Sequence, residues 1–322
     1  MYASLPHATD HHPRPSILWA AVLIGVLAIS SASILIRIAD APPLSIAAYR
    51  VTLASLLLAC CRLGPRKAAP VKRFGTALVA TGVSGLFLAF HFAFWITSLT
   101  MTSIASSVTL VSTTPFFVTL IAWLFLRERF RPRFLAGILL TLLGSGAIAG
   151  LDSRLSGSAV RGDLLALLGA LMAAGYFVSG KIARESLSLS DYALGSYGMA
   201  SLTLIGLCLV TGQALVGFSA KTYMALFFLA LVPQLIGHTT FNWTLKFLSP
   251  ATVSVLILGE PIGATILGHV ILRESPDVSK AMGLVVLAVG IFLCALCAPQ
   301  GSDPPRSATA QSATRGQDRQ HA

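Results

Sequence analysis

Glu260 and Pro261 stand side by side in VLILGEPIGATILG (255–268), a stretch otherwise almost wholly apolar or small. An ionised acid at the middle of a bilayer costs ~2.5–3.5 kcal/mol on insertion scales, so such a residue faces an interior space and meets a partner, water or a polar cargo. Pro261 lacks an amide hydrogen, and inside a helix its ring leaves the carbonyl of Ile257 without a donor. Pro115, in TLVSTTPFF (109–117), is expected to do the same for Val111. Two such breaks and one acid form a plausible binding site at mid-depth. The plainer alternative is a kink in which Glu260 is held by a neighbouring backbone group or an arginine.

Few other residues in apolar surroundings carry chemistry. His91 and His238 offer imidazoles that hydrogen-bond or titrate near neutral pH. Arg50, in AAYRVTL, lies too deep to reach the interface with ease, so it binds a carboxylate or pairs with a wall group. Ser112, Thr113 and Thr114 offer hydroxyls, either to a cargo or back to their own helix. Trp95 and Trp243, close to the two histidines, are candidate cavity walls, as are Tyr49, Tyr176 and Tyr197. Trp19 and Trp123 fit the interfacial belt. Lys181 and His269 lie near the ends of apolar runs, where they reach the interface. The five cysteines give neither metal spacing nor a disulfide framework. There is no HExxH and no Ser/His/Asp set at catalytic spacing. Neither a metal nor a cofactor is implied, and an enzyme is not expected.

The elements that position these residues are set by composition. Of 322 residues, 55% are hydrophobic and 11% charged, where a soluble domain has about 25% charged. Mean hydropathy is +0.79. A helix needs about 20 apolar residues to span a bilayer. Ten such runs occur, at 16–37, 44–63, 74–97, 103–126, 134–151, 163–181, 192–212, 222–246, 250–272 and 279–297. The expected fold is an all-α integral membrane protein of ten transmembrane helices. Residues 1–15 and 298–322 form polar ends, the latter Pro/Ser/Ala-rich and expected to be disordered. Residues 152–162 form a linker. ADA at 39–41 only loosely resembles a signal-peptidase site. The net charge of +11 does not point to nucleic acid, because the basic residues gather in loops on one side of the expected membrane.

The chain repeats itself at an offset of 146 residues. Pro115 falls on Pro261, the LRE of 126–128 on that of 272–274, Gly137 on Gly283, and Gly144 on Gly290. His91 and Trp95 match His238 and Trp243 across a short gap. Residues 16–151 and 163–297 thus read as two five-helix units. An odd number of passages makes the second unit enter from the opposite side. The loop RFRPR after the first LRE is strongly basic, whereas SPDVSK after the second is not. With the N-terminus inside, sixteen of the 23 Lys and Arg residues lie on the inner side and six on the outer, with Arg50 within the second run. The positive-inside rule then puts both termini in the cytoplasm, and the two units are inverted repeats.

TSIASSVTLVSTTPFFVTLIAWLFLRER (102–129) and SPATVSVLILGEPIGATILGHVILRE (249–274), with the paired units, resemble the EamA-type branch of the drug/metabolite transporter superfamily. The resemblance implies a secondary transporter of the cell inner (plasma) membrane that exports a small metabolite, an amino acid or related compound, by alternating access. A drug exporter or uncoupled facilitator of the same fold is the alternative. Small multidrug exporters of that superfamily use a glutamate in their first helix, and residues 16–36 contain no acid. The expected partners are a small-molecule substrate and the lipid bilayer, and the protein is a monomer or homodimer. Gly137/Gly144 and Gly283/Gly290 mark faces for close helix packing, within one bundle or across a dimer.

Overall fold

A computed structural model describes residues 13–61, 74–102, 104–149, 157–272 and 278–297. The tail 298–322, most of the N-terminal segment, the side chain of His269 and most of the second LRE and its loop lie outside the described residues. Regular structure among the described residues is entirely helical, as lipid demands when a chain must satisfy its own amides.

The elements are α1 (Pro15–Ser30), α2 (Ala32–Ile38), α3 (Pro43–Cys60), α4 (Phe74–Ser98), α5 (Ile104–Val111), α6 (Thr114–Phe125), α7 (Pro132–Ala149), α8 (Gly157–Arg184), α9 (Leu189–Thr211), α10 (Ala220–Leu229), a π-helical segment (Ala230–His238), α11 (Thr239–Thr244), α12 (Pro250–Ile257), α13 (Gly259–Leu272) and α14 (Val278–Cys297). Seven helical stretches are long and apolar enough to cross a membrane, and three shorter apolar helices accompany them. Large apolar side chains cover the outside: Phe125 is 76% exposed and Val210 86%. Arg50, Gln234 and Asn242 are buried within. That inversion of the soluble pattern suits a lipid solvent.

Polar caps start several helices. The hydroxyls of Ser188, Ser219 and Ser249 accept from the amides of Asp191, Thr222 and Thr252 at 3.1–3.2 Å, pairing donors that helix starts leave free. α8 begins at Gly157, so residues 157–162 of the expected linker are helical. Gly162 lets that end approach Met101 and Thr102, and Thr102 Oγ1 donates to Asp163 Oδ1 at 2.7 Å.

Helix bounds recur at an offset of 146 residues. α3 and α9 begin at Pro43 and Leu189, α4 and α10 at Phe74 and Ala220, and α7 and α14 at Pro132 and Val278. α5 and α12 share both ends in that register. Packing is reciprocal as well. α4 packs on α8, while the π-helical segment, which lies in the part of the second half corresponding to α4, packs on α1. α5 and α6 pack on α8 as α12 and α13 pack on α1, and α3–α9 and α7–α14 pair directly.

The α7–α14 seam uses the glycines within one chain. A Cβ on Gly290 would lie 2.7 Å from the Thr141 amide nitrogen and 2.9 Å from the Gly137 carbonyl oxygen. Both are backbone atoms and cannot rotate away. Gly290→Val is therefore expected to lower stability by roughly 1–3 kcal/mol, the usual cost of overpacking, read as a lower melting temperature in detergent. An unchanged midpoint would show that the seam has slack.

Candidate functional site

Four departures from regular α-helix meet at one cavity of about 90 Å³. The α1–α2 break at Ser31 brings Ile29, Ala32 and Ser33 to its wall. The α5–α6 break brings Ser112 and Thr114, and the α12–α13 break brings Leu258, Glu260 and Pro261. The π-helical segment ends at His238, which also lines it. π-Helical turns frequently occur at functional sites, and irregular backbone at membrane depth is tolerated where it lines a cavity. Pro233 sits inside this segment, where the wider bonding pattern accommodates it.

The two expected proline breaks take a different form from mid-helix kinks. Pro115 and Pro261 occupy the first turns of α6 and α13, where a missing amide hydrogen costs little. The Val111 carbonyl, expected to be free, accepts the Thr114 hydroxyl at 2.7 Å. Thr113 and Ser112 donate to Leu110 and Val108 at 2.6 and 2.7 Å, and Ser254 donates to Ala251 at 2.8 Å. Thr114 lines the cavity, but its proton is committed to its own helix. Of the two readings of these hydroxyls, the bond back to their own helix is the one seen, so this wall presents hydroxyl lone pairs.

Charge enters from two helices. Arg50, on α3, is 1% exposed. Its Nε donates to Gln234 Oε1 at 2.7 Å, and its guanidinium carbon lies 4.2 Å from the Phe92 ring centroid. An amide and a π-face hold the cation without neutralising it. Its Nη1 has no hydrogen-bond partner. Glu260, on α13, makes no ion pair with Arg50, yet Arg50 is the charge that acts on it. Among the described residues, no hydrogen bond to the Glu260 carboxylate from a backbone group or an arginine is seen.

Aromatic and imidazole groups complete the wall. His91 Nδ1 donates to the Gly169 carbonyl at 2.9 Å, leaving Nε2 as an acceptor in the neutral ring. Trp95 stacks on His91, centroids 5.9 Å apart and planes 9° from parallel. His238 meets the edge of Phe92 at 5.5 Å, so both histidines flank one phenyl ring. His238 Nδ1 and Trp95 Nε1 are buried without partners. Tyr176 donates to Asn242 Oδ1 at 2.6 Å, and Asn242 Nδ2 donates to Tyr197 at 3.1 Å. Tyr197 is 3.0 Å from the Thr239 hydroxyl. This chain fixes the Tyr176 ring where it borders the cavity.

Of the residues singled out from sequence, Glu260, His91, His238, Arg50, Trp95, Thr114 and Pro261 all border the cavity. Trp243 does not. Its ring packs edge-on against Phe247 at 5.0 Å. Pro115 is buried one residue behind Thr114 and lies off the wall. Tyr49 instead donates to the Leu215 carbonyl at 2.7 Å. Gln234 and Asn242, which carry the polar scaffold, escaped the sequence reading. Their signal is an amide in an apolar run, with Gln234 directly after Pro233.

A second cavity of about 180 Å³ adjoins the first at Ser33 and extends to Arg37 and Pro43 at the α2–α3 connection. Lys181 does not reach out to the interface as expected. Its Nζ donates to the carbonyls of Leu245 and Leu248 at 2.8 and 3.3 Å, closing the end of α11 as a cation at a helix C-terminus does.

Comparison with known proteins bears on the family and the fold. The sequence pattern of the EamA-like transporter family matches residues 15–149 and again residues 160–296. An uncharacterized transporter of Bacillus subtilis (strain 168), YxxF, is 22% identical over 253 residues, covering 78% of this chain and 81% of that protein. An uncharacterized transporter of Clostridium kluyveri is 24% identical over 201 residues, covering 61% of this chain and 65% of its own length. A crystal structure of a protein with 20% identity superposes with a TM-score of 0.73 over 88% of this chain and 98% of its own, a likeness of fold.

Proposed function

The chain belongs to the EamA-like transporter family, and from that premise we propose that it exports a small zwitterion of the amino acid class across the plasma membrane by alternating access. In this reading ten passages form two inverted five-helix repeats with both termini in the cytoplasm. The recurrence of helix bounds at 146 residues and the reciprocal packing of the two halves support that architecture, as does the bias of basic loops. The observation that carries the substrate class is that Glu260 and Arg50 border one cavity and make no ion pair with each other. A carboxylate suits an ammonium, and a guanidinium nitrogen suits a carboxylate. The apolar wall of Ile29, Val111, Phe177 and Ile257 takes the side chain. A buried polar group left unpaired costs about 1–3 kcal/mol, so a cargo that pairs Arg50 Nη1, Trp95 Nε1 and His238 Nδ1 is bound at their gain.

Alternating access then moves the halves about the four helix breaks. The path past Ser33 to the α2–α3 connection leads outward in this topology. The test is efflux from proteoliposomes loaded with a mixture of amino acids, with and without an imposed pH gradient. Export of at least one amino acid, answering to the gradient, is expected. Export that ignores the gradient would make the protein an uncoupled facilitator. A sealed, active preparation that releases none of the mixture would remove the amino acid class.

A further inference from the structure

The outer face between α6 and α7 holds a groove of about 710 Å³ that the transport site does not use. Leu120 and Trp123 of α6 and Leu139 and Leu142 of α7 line its length, and Phe130 and Arg129 stand at its end. From Phe116 to Trp123 the α6 wall runs about 10 Å at ~1.5 Å per residue, about a third of the ~30 Å hydrocarbon core. The groove therefore takes the upper part of one acyl chain.

Its two ends differ chemically. The end that faces the cytoplasm in the proposed topology lies beneath RERFRPR (127–133), whose Arg127, Arg129, Arg131 and Arg133 are all exposed. The one acid there does not offset them. Arg127 takes a positive φ of 55°, which turns the chain so that the Glu128 amide donates back to the Ala122 carbonyl at 3.2 Å. One oxygen of Glu128 is buried without a hydrogen-bond partner, and the charge acting on that carboxyl is Lys181. Burial raises the Glu128 pKa, and Lys181 opposes the rise. Deeper in the groove, Thr119 is 8% exposed and its hydroxyl has no hydrogen-bond partner. A hydroxyl on an apolar helix ordinarily bonds back to its own backbone, as Thr113 and Thr114 do. Thr119 borders the groove, and its hydroxyl is left without that bond.

The geometry points to a binding site for one anionic glycerophospholipid: an acyl chain lies along α6 and α7, an ester oxygen meets Thr119, and the phosphate meets Arg129. Charge complementarity selects the headgroup, because an arginine fork fits phosphate oxygens and each basic residue near an anionic surface contributes about 1 kcal/mol. The corresponding loop after α13, SPDVSK, has one lysine and one aspartate, so the site belongs to the α6–α7 end.

Trp123 lines the groove and reports on it. The full chain is reconstituted with brominated phosphatidylglycerol or brominated phosphatidylcholine, and quenching of the signal that Trp123→Phe removes is compared. Quenching half-saturates at about fivefold less phosphatidylglycerol than phosphatidylcholine, the ratio one well-placed arginine supplies. Arg129→Gln brings that ratio to near one, while Arg161→Gln, on an exposed residue of α8, leaves it in place. Thr119→Val weakens quenching by both lipids without changing the ratio. Equal quenching by the two lipids in the unaltered protein, or a ratio that survives Arg129→Gln, overturns the proposal. Quenching by neither lipid, with the protein migrating as a dimer, assigns the groove to a second copy of the chain and overturns it too.

Discussion

Glu260→Gln is expected to leave the carrier folded and to abolish its transport. Glutamine keeps the shape and removes the charge. No ion pair or hydrogen bond of the Glu260 side chain is lost with it, because among the described residues the carboxylate has no direct partner. The insertion cost of ~2.5–3.5 kcal/mol for a mid-membrane acid is relieved, so the melting temperature holds or rises. In the proposed reading the ammonium of an amino acid cargo loses its counter-charge. A charge-assisted hydrogen bond is worth about 1.5–3 kcal/mol, which corresponds to roughly ten- to 150-fold in substrate affinity. Any step that needs Glu260 to change protonation is lost outright. Proteoliposome efflux and a melting curve on the same preparation separate these effects. A variant that transports at the parental rate would remove Glu260 from the mechanism.

Arg50→Gln is expected to damage both stability and transport, and the comparison of its two effects is informative. The side chain is held by Gln234 and Phe92, and it is the charge that acts on Glu260. Removing it takes away the contacts with Gln234 and Phe92 and the one charge that acts on the buried acid, so stability falls. Adding Glu260→Gln restores part of the lost stability, because the uncompensated charge goes with it. The double variant should therefore melt higher than Arg50→Gln alone while transporting nothing. A gain no larger than Glu260→Gln gives in the parental protein would show that the two groups do not share a field. Arg50→Lys keeps the charge but not the planar fork that serves Gln234 and a cargo carboxylate together, and it should raise the substrate concentration for half-maximal transport.

The charged part of the cavity was legible because an ionised group in an apolar run is costly enough to stand out. Glu260 and Arg50 needed nothing more than that. His91 and His238 were found the same way, helped by the duplicated landmarks. The errors have local physical causes. Trp243 was matched to Trp95 across a gap, but the residue 146 positions after Trp95 is Phe241, which is buried. The wide turns of the π-helical segment also change the angular phase of the residues after it, and no sequence pattern announced them except Pro233. The hydroxyls at 112–114 could have bonded outward or inward, and residue type alone does not decide between the two. Gln234 and Asn242 carry no charge to mark them in an apolar run, whereas a neutral amide is what can hold a buried guanidinium without cancelling it. The glycine seam was seen as a packing face, but only the close approach of α7 and α14 showed that it is used within one chain.

The claim that the rest depends on is that one cavity presents an acid and a cation to the two charges of the same cargo. Thermal stabilisation of the purified protein by three related ligands tests it: an amino acid that the proteoliposomes release, the amine left by removing its carboxylate, and the acid left by removing its ammonium. Near a hundredfold excess over Kd, a bound ligand adds about 2.7 kcal/mol. The account predicts a clear upward shift with the amino acid, little with either single-charge analogue, and loss of the shift in Glu260→Gln. An equal shift with the amine alone, or one that Glu260→Gln leaves intact, would contradict it.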